Sequence, residues 1–389
     1  MEIARGLEGI VVAGTRLSHI DGQRGELIIG GFAVDELAPN ATYEEVLHLL
    51  WYGRLPLAGE LEALTRGLAS QRELPATTLS LLRSAAGARL SVMDALRIAV
   101  GTLTLTVPEA NGSRDSQIAL AQALVARFPT IIAAYWRLLA DQEPVAPDPA
   151  LAHVANYLYM LNGRRADTAE VRALETYFNT VVDHGMNAST FAARVIISTR
   201  SDMVSALEGA IGALKGPLHG GAPGPALDMV FEIRERAASS GRTLEQAAEE
   251  WIRAAFARGE RLMGFGHRVY KVRDPRADVL GAEATRLFES AGDRDLYRDA
   301  CLVEKVALRL LHESKPDRRL DTNVEYYTAL LLHGIGLSAD LFSPTFAAAR
   351  AGGWTAHVLE QIADDRIIRP SALYLGDTGL RWQPAEARA

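Results

Sequence analysis

The chain has 389 residues, of which 48% are hydrophobic and 23% charged, and its formal net charge is −7. That balance excludes a disordered chain and leaves ample material for a large buried core. The acidic total argues against a nucleic-acid partner. The single cysteine, Cys301, allows no internal disulfide and suits a reducing cytoplasm.

The first residues, Met1 to Arg5, lack the apolar centre of a signal peptide. No uncharged apolar run approaches the roughly 20 residues that a membrane helix needs, so a soluble cytoplasmic protein without a membrane partner is expected. Residues 9–13 and 27–29 are short β-prone runs on either side of a turn-rich segment at 21–25. Then the period changes. Val46, Leu47, Leu50 and Trp51 share one helical face, as do Ile118, Ala121, Leu124, Val125 and Phe128, and later Leu302, Val303, Val306, Ala307 and Leu310. Helical pattern continues from about Tyr43 to Gln361, with breaks expected at Pro108, Pro129 and the cluster Pro144, Pro147 and Pro149. No alternation of strand with helix marks a parallel sheet, so the expected class is all-α with a short N-terminal β segment. Glycine-rich joints at 215–221 and 333–336 are the candidate boundaries and hinges. They divide the chain into a large helical domain, 1–216 with 337–389, and a more charged small helical domain, 217–336.

Four segments place polar residues where the local pattern predicts burial or a helix end: 183–187 with His184, 216–221 with His219, 264–268 with His267, and 322–326 with Glu325. Glycines flank His219 and His267 and let backbone approach closely there. A neutral histidine at a helix start can donate to a developing oxyanion; the bland alternative is a turn histidine without a ligand. The basic run 271–276 is a dense positive segment in an acidic protein, and a solvated loop is the usual reading of such a run. Arg350 sits among small apolar residues, where a guanidinium needs either a protein carboxylate or a ligand carboxylate, and Arg369 poses the same question. Glu325 has its own alternative, since Thr322-x-x-Glu325 before an apolar run is a capping box.

Taken together, the segments resemble the citrate synthase family along nearly the whole chain. The carriers are Ser18-His19-Ile20-Asp21-Gly22-Gln23-Arg24-Gly25, then Lys215-Gly216-Pro217-Leu218-His219-Gly220-Gly221-Ala222, then Met263-Gly264-Phe265-Gly266-His267-Arg268-Val269-Tyr270, then Asn323-Val324-Glu325. The resemblance implies an all-helical homodimer whose large and small domains close on acetyl-CoA and oxaloacetate. It implies catalytic roles for His219 at the thioester oxygen, His267 at the ketone, and Glu325 as the base, where the family's usual residue is aspartate. It further implies oxaloacetate binding by His184, Asn187, Arg276, Arg350 and Arg369, the last reaching in from the other subunit. The CoA site would be lined by Arg261, Leu262, Met263, Gly264 and Phe265, with Lys271 or Arg273 near the phosphates. The implied reaction needs no metal and no cofactor. Rival readings are a 2-methylcitrate synthase using propionyl-CoA, a non-catalytic dicarboxylate-binding relative, and a metalloprotein ligated by His184, His219, His267 and Glu325, whose spacings match no common zinc pattern.

Overall fold

Helix starts in this chain are written in its side chains. Thr42, Asp167 and Thr243 each accept the backbone N–H three residues on, while Glu45, Glu170 and Gln246 return a side-chain bond to the cap. The structure is a computed structural model that describes residues 3–7, 9–107, 112–220, 223–267, 269–290, 293–316 and 320–387. Expected features at Pro108, Gly221, Ala222 and Arg268 lie outside the described residues.

Three short antiparallel strands, β1 (Ser18–Asp21), β2 (Glu26–Ile29) and β3 (Phe32–Ala33), pair in that order with Ser18 opposite Ile29 and Ile29 opposite Phe32. The first turn is closed by Asp21, whose Oδ1 accepts the amides of Gln23 and Arg24 at 2.9 and 3.0 Å. Alternation then buries Leu27 and Ile29 on one face. Residues 9–13, expected to be β-prone, form no strand; they lie largely exposed with no neighbouring edge to pair with, Val11 being 89% exposed.

The other main elements, among the described residues, are helices. The helices are α1 (Val34–Leu37), α2 (Tyr43–Tyr52), α3 (Ala58–Ser70), α4 (Ala76–Gly87), α5 (Val92–Thr102), α6 (Arg114–Leu139), α7 (His153–Asn162) and α8 (Thr168–Val181). There follow α9 (Ala188–Ser198), α10 (Met203–Leu214), α11 (Pro223–Ser240), α12 (Leu244–Ala257), α13 (Pro275–Ser290), α14 (Arg294–Ser314), α15 (Val324–Gly334) and α16 (Phe342–Asp364). The all-α expectation holds. Pro129 does not break its helix as expected; it lies buried inside α6, where tertiary packing outweighs the one backbone bond a proline forfeits. By length and hydropathy α6 could cross a membrane, yet 78% of its apolar window is buried among the other helices.

Helix α16 organises the core. Its run of Ala347, Ala348, Ala349, Ala351, Gly352 and Gly353 is almost side-chain-free, so α2, α6, α8 and α9 approach its backbone closely. Helices α11, α12, α14 and α15 pack mainly on one another and on α13, which also crosses α8. The meeting of α8, α13, α15 and α16 is where the functional side chains gather.

Candidate active site

Chain geometry delivers His219 first. After α10 the backbone folds back on itself, and a Cβ on Gly220 would stand 2.5 Å from the Leu214 carbonyl oxygen, so only glycine fits. That close approach is to the protein's own backbone. Nε2 of His219 lies 2.8 Å from Ser189 Oγ and accepts the Ser189 amide at 3.3 Å. An accepting Nε2 places the ring proton on Nδ1, which meets no acceptor from another described residue. Ser189 is itself fixed: Trp354 Nε1 donates to its hydroxyl at 3.1 Å, and Asn187 Oδ1 accepts its amide at 3.1 Å. Asn187 is thus the N-cap of α9, with Nδ2 donating to Thr190 Oγ1 at 2.9 Å. Burial, aided by Arg350, pushes the His219 pKa down to about 4, so the ring is neutral at ordinary pH.

His267 sits in a loop stitched to the segment that precedes α15. The Gly266 amide donates to Asp321 O at 2.7 Å, the Asn323 amide to Gly264 O at 2.9 Å, and Asn323 Nδ2 to Gly266 O at 2.8 Å. Gly264 holds φ +87°, and a Cβ there would strike the Tyr326 ring at 2.9 Å. Nδ1 of His267 accepts the amides of Val269 and Tyr270 at 3.0 and 3.2 Å, so its proton is on Nε2. Burial first, then Arg276, lowers its pKa to about 4. The His184 ring stands edge-on to His267 with centroids 5.7 Å apart, and His184 Nε2 lies 3.1 Å from the Tyr270 hydroxyl. Burial, followed by the charges of Arg276 and Arg350, holds His184 well below the ordinary histidine range.

Two arginines face these rings. Within the basic run, Lys271 is exposed, but Asp274 and Arg276 are 1% and 4% exposed, so that segment is no simple solvated loop. Asp274 grips Arg276 with both oxygens, at 3.0 Å from Nε and 2.8 Å from Nη2. Arg350 is 1% exposed and no carboxylate pairs with it among the described residues. Its Nε donates to Val181 O, its guanidinium lies 4.6 Å from the Phe346 ring centroid, and burial lowers its pKa to about 10. Asp183 opposes that charge without an ion-pair contact, and a buried cation held so is suited to take an anion. Arg369, by contrast, is exposed beyond α16, beside Leu7, Ile10, Val12 and Phe191, and is not brought to the histidines of its own chain.

Glu325 completes the group. Helix α15 is capped by Asn323, whose Oδ1 accepts the Glu325 amide at 3.0 Å, while Asp274 Oδ2 accepts the Val324 amide at 3.2 Å. Thr322, the expected cap, instead donates its hydroxyl to Glu304 at 2.6 Å. The capping-box reading therefore fails, because the helix begins one residue later than that box requires. The Glu325 carboxylate makes no hydrogen bond to the described residues. Burial raises its pKa to about 7, against Arg276, which lowers it.

Of the expected CoA-lining residues, Arg261 is exposed, Leu262 buried, and Met263 and Phe265 half-buried on the approach to His267. Arg273 is engaged by Asp278 and, at 2.9 Å, by Glu304. Sequence reasoning missed Ser189, Tyr270, Asp274 and Trp354 as participants. Ser189 and Asp274 carried a helix-cap signal and a charge-run signal, but no local pattern tells which histidine or arginine such a residue will meet. The group offers a carboxylate with a raised pKa, two neutral imidazoles and buried guanidinium groups, a set suited to carbanion chemistry on an anionic substrate.

Comparison with known proteins agrees. The family model described as citrate synthase, C-terminal domain, matches residues 6–371. The chain is 40% identical to a citrate synthase of Haloferax volcanii, covering 100% of this chain and 99% of the relative. It is 35% identical to a 2-methylcitrate synthase of Mycobacterium tuberculosis, over 96% and 91% of the two chains. Among solved structures, the citrate synthase of Pyrobaculum aerophilum superimposes with a TM-score of 0.88 at 37% identity, covering 99% of this chain and 95% of that one. That of Thermoplasma acidophilum, solved in a ternary complex with carboxymethyl coenzyme A and oxaloacetate, gives 0.87 at 30% identity with full coverage of both chains. A helical chain of this architecture, with these histidines and this carboxylate on converging elements, belongs to the citrate synthase family.

Proposed function

We propose that the chain condenses acetyl-CoA with oxaloacetate and hydrolyses the resulting citryl-CoA to citrate and CoA. The observation that carries this reading is Glu325, a carboxylate with no hydrogen-bond partner among the described residues and a pKa raised to about 7, under the charge of Arg276, whose Nη2 lies 3.3 Å from the neutral His267 ring. A thioester methyl proton is too weakly acidic for a carboxylate unless the forming enolate is stabilised at the same moment. Glu325 takes that proton, while His219 Nδ1–H donates to the thioester oxygen. The methyl carbon then bonds to the ketone carbon of oxaloacetate, whose oxygen takes the proton of His267 Nε2. Water finally cleaves the thioester. His184, Arg276 and Arg350 hold the dicarboxylate in register, which turns a two-body encounter into an oriented one.

The same reading assigns residues 261–265, with Lys271 or Arg273, to CoA. It has the small domain, 217–336, close on the large one to exclude water, and it has Arg369 reach the site of a second copy in a homodimer. No step calls for a metal or a redox group, and the single cysteine fits a cytoplasmic setting. Release of free CoA thiol on mixing acetyl-CoA with oxaloacetate tests the proposal; no release overturns it. The second reading, 2-methylcitrate synthesis, is favoured by the relative of that name. One methylene in an apolar pocket is worth only about 1–3 kcal/mol, so the ratio of kcat/KM for acetyl-CoA and propionyl-CoA separates the two.

A further inference from the structure

Outside the catalytic group, one buried carboxylate gathers hydrogen bonds from two different segments of the site. Glu304 lies on α14 and is 7% exposed. Its Oε1 accepts the Thr322 hydroxyl at 2.6 Å and Arg273 Nη1 at 2.9 Å, and its Oε2 accepts the Tyr327 hydroxyl at 2.6 Å. Thr322 immediately precedes Asn323, the cap of α15, and Tyr327 stands two residues beyond Glu325 in the first turn. Arg273 belongs to the stretch that leads from His267 to Arg276, and its guanidinium also lies 5.9 Å from the Tyr327 ring centroid. Glu304 thus bonds residues on both sides of Glu325 and, with the oxygen that takes the Thr322 hydroxyl, the loop that carries the ketone-facing groups.

We propose that Glu304 is a positioning residue that sets the Glu325 carboxylate against His267 and Arg276, through Thr322 and Tyr327 on one side and Arg273 on the other. The proposal rests on the reading of Glu325 as the base. Glu304 reaches no reacting atom itself. Its contribution is to fix the first turn of α15, where Glu325 has no hydrogen bond of its own to hold its side chain. A displacement of about one ångström at a catalytic group can cost on the order of a hundredfold in rate, so loosening that turn acts on proton abstraction more than on oxaloacetate binding. Oxaloacetate is gripped by Arg276 and Arg350, and Arg276 keeps its own two bonds to Asp274.

The test compares Glu304→Ala, Glu304→Gln and Tyr327→Phe with the unaltered protein. Turnover, oxaloacetate Kd by calorimetry, thermal midpoint, and exchange of acetyl-CoA methyl protons into deuterated water are all measured. The expected result is a kcat loss of roughly 30- to 100-fold for Glu304→Ala and a loss of roughly 5- to 10-fold for Tyr327→Phe, with methyl exchange falling by the same factors. Glu304→Gln, which keeps an accepting oxygen, restores part of the rate, and oxaloacetate Kd stays within about threefold. Unchanged kcat with only a lowered midpoint overturns the inference, as does a Kd that weakens in step with kcat. Should Glu304→Ala not fold, Tyr327→Phe, which removes a single hydroxyl, decides between these outcomes. Failure of the underlying reading is distinguishable: it shows as Glu325→Gln retaining turnover, whatever the Glu304 variants do.

Discussion

Nη2 of Arg276 stands 3.3 Å from Nε2 of His267, and both atoms are donors, since His267 already accepts two amides at Nδ1. An acceptor placed beside both donors would bond to both, and in the reading proposed above an oxygen of oxaloacetate is that acceptor. Asp274 makes the arrangement possible by holding Arg276 from behind with both oxygens. Asp274→Asn removes that charge and one of the two acceptors. Oxaloacetate Kd, measured by calorimetry, is expected to weaken by roughly 10- to 100-fold as the guanidinium loses its orientation. An unchanged Kd would show that Arg276 needs no such support.

The pH profile follows from Glu325. If it is the base proposed above, it works only when ionised, and burial raises its pKa to about 7. kcat/KM should therefore fall about tenfold per pH unit below that value, with no further acid limb from His219 or His267 until about pH 4. The stability consequence has the opposite sense. A carboxyl whose pKa is raised on folding stabilises the fold below its unfolded value of 4.5, and that contribution is lost as pH rises through about 7. Glu325→Gln is accordingly expected to lose at least about a thousandfold in CoA release. It should keep oxaloacetate binding and melt no lower than the unaltered protein at pH 8. Near-normal turnover in that variant would place the base elsewhere.

Arg350 sets function against stability. It is a buried cation with no ion-pair contact among the described residues, and burial lowers its pKa to about 10 against the opposing charge of Asp183. Arg350→Leu removes that desolvated charge, so the thermal midpoint of the ligand-free protein should not fall. Oxaloacetate Kd should rise by at least about 100-fold, because a charge-assisted contact in a dry site is lost. Lowered stability together with an intact Kd would make Arg350 a structural residue.

The helical class and the short β segment were legible because each leaves a local trace, a period or a turn, and a glycine beside a polar ring singled out the three histidines for attention. What the sequence hid was long-range pairing. Nothing near Thr322 announces that its hydroxyl goes to Glu304, 18 residues earlier, which leaves Asn323 as the cap and Glu325 unbonded. Pro129 misled for a related reason, since propensity is local while the burial that sustains α6 is tertiary. The strand expected at 9–13 had apolar residues but no neighbouring edge, and pairing is what makes a strand. Asp274 lay within a run of charges that reads as solvated, and only the fold shows it buried under Arg276.

Arg369 permits a sharper experiment than simple substitution. In its own chain it is exposed and apart from the histidines, beside Phe191 and the N-terminal residues Leu7, Ile10 and Val12. If it serves the site of a second copy, a chain carrying Arg369→Leu and a chain carrying Glu325→Gln are each inactive as homodimers for different reasons. Mixed dimers then contain one site with both defects and one site with none. After unfolding and refolding an equal mixture, half of the dimers are mixed and half of their sites intact, so about one quarter of the normal activity should return. If Arg369 acts within its own chain, every site in a mixed dimer carries one defect and nothing returns. The recovered fraction, read by thiol release against the unaltered protein refolded in the same way, separates the two arrangements.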